Sequence, residues 1–182
     1  MYDDGGRAAA GCRGAAGDCV VRAVAIATEQ PYQEVYEALA GVNASTRCRG
    51  VAGRRSARNG IRTSSTAFRR YMQDLGWEWT PTMGIGTGCT VHLHDDELPD
   101  GRLIVKLSKH VTAVIDGVIR DTHDPQRETH CIRQDDGTAL RPGEWRNVNG
   151  ICRVARRCVY GYWQHSDPLA VALAACDGEI DL

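Results

Sequence analysis

A chain of 182 residues, 42% hydrophobic and 25% charged, has the composition of a soluble globular protein and the length to bury a proper core. Its formal net charge of -1 excludes a global electrostatic pull towards nucleic acid or an anionic membrane. No apolar run approaches the ~20 residues needed to cross a bilayer.

The opening "MYDDGGRAAAGCRGAAGD" carries acids where an export signal wants bases, and it has no aliphatic centre. It reads as a flexible arm over residues 1–16, followed by a single domain over 17–182. A cytoplasmic location is expected, with thiols kept reduced. The eight cysteines include no Cys-x-x-Cys pair, so they read as scattered small core residues and not as a disulfide framework. Asp18 suits an N-cap, and the "CVVRAVAIAT" behind it is apolar nearly all round, the mark of a centrally buried helix. "TEQPYQEVYEALAG" predicts a second helix with Pro31 in its first turn and Gly41 at its end. Residues 44–60 lose all periodicity and predict a long loop. "TSSTAFRRYMQDLG" restores a helical stripe through Phe68, Tyr71, Met72 and Leu75, with a hydroxyl cap before it and Gly76 after it.

The second half predicts strands. "WEWTPTM" offers a short one, and the 82–100 stretch is a glycine-punctuated link ending in an acidic turn. "RLIVKL", "HVTAVI" and "VIRDT" follow, the last two flanking Asp116-Gly117, a strong hairpin signal between β-branched runs. "CRVARRCVYGYW" predicts one or two more strands, with Tyr160, Tyr162 and Trp163 as core and cleft wall. "DPLAVALAAC" predicts a last short helix. The fold class expected is α+β, with N-terminal helices packed on a C-terminal antiparallel sheet.

A two-residue turn at Asp116-Gly117 sets Val114 opposite Ile119 and Thr112 opposite Asp121. Asp121 then shares a face with His110 as its diagonal cross-strand neighbour, about 7–8 Å away by backbone. A carboxylate there can accept Nδ1–H of the imidazole and leave Nε2 free to move a proton. Cys19, in the first turn of a helix, sits at the positive end of the helix dipole, which favours thiolate. Taken singly, Cys19 and His110 are ordinary core residues; it is their order along the chain, with the hairpin and Asp121, that suggests chemistry.

In that order "GDCVVRAVAIAT", "HVTAVIDGVIRDTHDP" and "CVYGYW" resemble the papain-like cysteine peptidases, and most of all compact bacterial and phage members similar to the peptidases that trim double-glycine leaders. The resemblance covers roughly residues 17–165. It implies a papain-like fold and a cysteine hydrolase that cleaves a peptide or isopeptide bond through an acyl-enzyme. Cys19 would be the nucleophile, His110 the general base and Asp121 the orienting acid. Asp124 competes for the last role, because the family's acid often lies further beyond the histidine. The glutamine that many relatives place six residues before the cysteine is replaced here by Arg13, leaving the Cys19 backbone N–H as the one identifiable oxyanion donor.

No cofactor or metal is expected. His92 and His94 share a face if "CTVHLHDD" is a strand, and Cys89, His130 and Cys131 offer further ligand atoms, but the spacing matches no common zinc pattern. The arginine-rich loop "RCRGVAGRRSARNGIR" lacks aromatic residues for base stacking, which disfavours nucleic acid and leaves an acidic partner as its possible contact. A peptide or protein substrate is expected, with no membrane partner. The rival readings are a catalytically inactive binding protein of this fold, such as a phage-encoded inhibitor of a host factor, and an acyl transferase on the same scaffold.

Overall fold

The computed structural model describes residues 1–48, 51–52, 55–126 and 157–166. Among these the protein is α+β, with three helices and a five-stranded antiparallel sheet. The last helix expected from "DPLAVALAAC", most of "CRVARRC", and His130 and Cys131 lie outside the described residues.

Helix α1 spans Cys19–Thr28 and buries Val20, Val21, Ala23, Val24, Ala25 and Ala27, so its apolar surface is consumed on nearly every side. Asp18 precedes it but makes no side-chain cap, contrary to expectation. Its carboxylate is taken instead by ion pairs with Arg7 and Arg22. At the other end, where terminal carbonyls lack helical partners, the Arg102 guanidinium donates to Ala27 O at 2.7 Å and Ile26 O at 2.8 Å.

Helix α2 spans Tyr32–Ser45 directly after Pro31 and continues past Gly41, where the sequence predicted its end. The extra turn has partners of its own. Val42 packs on the core, and Asn43 Nδ2 donates to Ser56 O at 2.8 Å and Gly60 O at 3.0 Å. These contacts offset the ~1 kcal/mol that a mid-helix glycine costs. Within the predicted loop, β1 (Arg47–Cys48) and β2 (Val51–Ala52) form a minimal antiparallel pair. Helix α3 spans Thr66–Asp74 and follows its sequence signals. Ser65 Oγ accepts from Phe68 N at 3.2 Å, Phe68 and Met72 are buried, and Gly76 takes a φ of 80° just beyond the helix.

The five-stranded sheet comprises β3 (Trp77–Pro81), β4 (Arg102–Leu107), β5 (His110–Ile115), β6 (Val118–Arg120) and β7 (Val159–His165), in the order β3-β7-β4-β5-β6. Asp116 and Gly117 both have positive φ, 48° and 75°, as a type I′ hairpin turn requires. Val114 consequently pairs with Ile119, the register read from the sequence. In β7, Gly161 lets edge strand β3 close in, since a Cβ there would lie 2.3 Å from the Trp79 ring.

Both faces of this sheet are covered. Ile104, Val111, Ala113 and Trp163 join α1, α2 and α3 in the larger core, where Phe68 meets Trp163 edge-on at 6.0 Å. The alternate residues Leu103, Val105, Leu107 and Val114 pack under Leu93 and Leu98 of the 82–100 segment. That segment is tied down by a disulfide between Cys89 and Cys158, with Cα atoms 5.8 Å apart, and by a β-bridge between His92 and Cys158. The reading of the cysteines as unpaired is thereby corrected, and the expectation of reduced thiols does not hold for this pair. Among the described residues no helix is long and apolar enough to cross a membrane.

The N-terminal segment, expected to be a flexible arm, is held along the sheet edge. Tyr2 forms a parallel bridge with Asp121, Asp3 N donates to Asp121 O at 3.0 Å, and Asp121 N donates to Met1 O at 3.2 Å. Arg7 then reaches Asp18 at 2.7 Å. The backbone groups that β6 would leave open at its outer edge are in this way paired close to the candidate site.

Candidate active site

Two packed elements converge on one point. Cys19 is the first residue of α1, and His110 opens β5 straight after the two-residue turn at Ser108 and Lys109. Helix α1 lies across β5 through Val111 and Ala113. This brings the helix N-terminus to the strand's beginning, where the His110 imidazole and the Val111 backbone N–H are the groups that act on the Cys19 sulfur. Cys19 is half-buried and forms no disulfide, so its thiol remains partly open to solvent.

The acid is equally well defined. Asp121 Oδ2 meets His110 Nε2 at 2.6 Å, and Oδ1 accepts Thr122 N at 2.7 Å. Both side chains are buried, 6% exposed for Asp121 and 10% for His110. Asp124, the competing acid, is exposed and accepts the Gln126 N–H at 2.8 Å. One expectation is corrected: the carboxylate takes Nε2 of the imidazole, not Nδ1. Nδ1 is therefore the nitrogen left for a second partner.

The charges reinforce one another. Burial pushes the Cys19 thiol up, but the His110 hydrogen bond, the Val111 N–H and the positive charges of His110 and Arg22 outweigh it, leaving the thiol below its ordinary range. For His110, burial lowers the imidazolium's affinity for its proton, whereas Asp121 and Cys19 raise it, to a pKa of about 9. Burial also raises Asp121, and the hydrogen bonds from His110 and Thr122, with the positive charge of His110, more than reverse this. Both shifts act in the same sense, towards a thiolate beside an imidazolium and away from the neutral pair.

Comparison of the chain with protein-family models, with curated proteins and with solved structures finds no match.

His123 lies at the rim, its ring 4.9 Å from that of His110 and Nδ1 3.7 Å from Asp121 Oδ1. With His110 and Asp121 it could offer three metal ligands. Two ligands of a tetrahedral zinc ion stand ~3.3 Å apart, and the 2.6 Å His110–Asp121 contact is too short to span an ion. His92 and His94 turn to separate partners, His92 to Glu97 at 2.9 Å and His94 to Asp95 at 2.7 Å, while Cys89 is spent in the disulfide. A cavity of about 540 Å³, lined by Tyr2, His94, Asp95, Asp121 and His123, adjoins the acid.

Arg13 is exposed, with its carbonyl held by Arg7 Nη2 at 3.3 Å. Of the rich arginine loop, Arg58 Nη2 donates to Ala15 O at 3.1 Å, which sets that segment next to the residues leading into Cys19. Sequence reasoning did not anticipate Arg7, Arg22 or Thr122 around the site. Arg22 did leave a signal, as the one charged residue in an otherwise apolar ten-residue helix.

Proposed function

We propose that the protein is a cysteine hydrolase of papain-like fold that cleaves an amide bond in a peptide or protein, with Cys19, His110 and Asp121 as its triad. The observation that carries this reading is the convergence of Cys19, at a helix N-terminus, with His110 and its buried partner Asp121. The Cys19 thiolate attacks the carbonyl carbon, a C–S bond forms, and the electron pair moves to the oxygen. The Cys19 backbone N–H, unpaired within the first turn of α1, offers a donor for that oxyanion. His110 then gives its proton to the leaving nitrogen as the C–N bond breaks. Water, deprotonated by the now neutral His110, attacks the thioester, and the C–S bond breaks to restore the thiolate. Asp121 holds the imidazole in place and stabilises its charged form throughout.

Alkylation by iodoacetamide tests the reading without a known substrate. Cys19 should react much faster than Cys12, a second free cysteine, with a midpoint below the ordinary thiol value, and His110→Gln should abolish the difference. Equal rates at the two cysteines, or indifference to His110→Gln, would leave a binding protein as the better account.

A further inference from the structure

Asp18 and Arg22 stand at i and i+4, and Cys19 and Arg22 at i and i+3, so all three share one face of the first turns of α1. The Arg22 side chain is 12% exposed and its Nε lies 3.1 Å from Asp18 Oδ1. The other Asp18 oxygen accepts Arg7 Nε at 2.7 Å and Tyr32 OH at 2.6 Å, so each oxygen of the 2%-exposed carboxylate faces a cation. Arg22 Nη1 reaches in a different direction, to Thr122 Oγ1, a residue 100 positions away. Thr122 in turn donates its N–H to Asp121 Oδ1. A single guanidinium therefore joins the start of the helix that carries Cys19 to the strand end that carries Asp121.

We infer that Arg22 is a positioning residue for the candidate triad, fastening nucleophile and acid to one another through Asp18 on one side and Thr122 on the other. The inference rests on the hydrolase reading and adds a function for a buried ion cluster which that reading leaves unused. The local charge supports it. Arg7 and Arg22 bring two positive charges against the one negative charge of Asp18, and Arg22 acts on Cys19, with His110, Asp121 and His123 the other ionisable groups at the site. Tyr32, its hydroxyl pushed up by burial and by Asp18, stays a neutral donor. A planar fork suits the task because its donors diverge at fixed angles, which the point charge of lysine cannot copy.

Three variants test this on the intact chain, with iodoacetamide as the probe of Cys19, NMR titration of His110 and thermal melting. Arg22→Gln should slow Cys19 alkylation at neutral pH by about 10-fold or more, the range of one lost charge-assisted hydrogen bond, and move its midpoint upward. Arg22→Lys should restore the Cys19 midpoint, because the charge returns, while the His110 midpoint falls below the wild-type one, because the tie to Thr122 is lost. Thr122→Val should lower the His110 midpoint with little change in melting temperature. A folded Arg22→Gln protein with the wild-type alkylation profile would overturn the inference, and so would variants that change only the melting temperature. If Arg22→Gln does not fold, Thr122→Val decides, and a wild-type His110 titration in that variant refutes the tie. An unreactive Cys19 in the wild-type protein would instead defeat the hydrolase reading itself.

Discussion

Asp121→Asn removes one negative charge at nearly constant shape. The carboxylate accepts both His110 Nε2 at 2.6 Å and Thr122 N at 2.7 Å, at a position only 6% exposed, so little solvent is present to compensate. His110 stands at about 9 against an ordinary 6.5, and Asp121 is the largest of the influences that raise it. That interval corresponds to roughly 3 kcal/mol, or a few-hundred-fold in proton affinity. With an amide in place of the carboxylate most of it disappears, while the burial that opposes the imidazolium remains. The charged pair then loses its main support, and alkylation of Cys19 at neutral pH should slow by about tenfold or more. The assay is the rate of iodoacetamide alkylation at Cys19, followed from mildly acid to mildly alkaline conditions, with His110 titrated by NMR. Asp121→Asn should shift the alkylation curve towards that of an ordinary thiol, and Asp124→Asn should leave it where it is. An unchanged curve for Asp121→Asn, or a large change for Asp124→Asn, would refute the assignment of the acid.

The same pair makes a prediction about stability and pH. The raised His110 contributes stability in full below 6.5 and loses it as pH rises through about 9. The lowered Cys19 does the opposite, contributing above the ordinary thiol value and losing its share as pH falls through the folded value. One group takes up a proton on folding and the other releases one, so between those limits the two slopes cancel. Cys19→Ala leaves only the histidine, and its unfolding free energy should fall from pH 6.5 upward by as much as ~1.4 kcal/mol per pH unit, over a window shortened at the top because Cys19 helps to hold His110 up. Urea unfolding at a series of pH values measures this, and a variant as flat as the wild type would contradict it. The Cys89–Cys158 disulfide spans 69 positions, for which the chain-entropy relation gives about 4 kcal/mol at most. Replacing both cysteines by serine should therefore cost about 2–4 kcal/mol in urea unfolding. No measurable loss would mean that this crosslink does not constrain the unfolded chain.

Where a feature depends on neighbours in the chain, it was legible. The Asp116-Gly117 turn supplied both positive φ angles and with them the register of Val114 on Ile119. Ser65, Phe68, Met72 and Gly76 marked α3 from cap to exit, because each acts within a turn or two of its own position. Gly41 misled for the complementary reason. Its local preference was to stop a helix, and contacts from Asn43 to residues 56 and 60 overrode it.

The order Cys19, His110, Asp121 and the pattern of helices before strands were determined by the sequence alone, since hydrophobic period and turn chemistry are properties of short windows. Only the tertiary structure decided the rest: that Asp18 is held by Arg7, Arg22 and Tyr32 and caps nothing, that the N-terminal segment pairs with Asp121, that Cys89 joins Cys158, and that Nε2 of His110 is the nitrogen Asp121 takes. Each of these is a choice among many chemically equivalent partners far apart in the chain. Such a choice is made by which groups packing brings together, and no local preference encodes it.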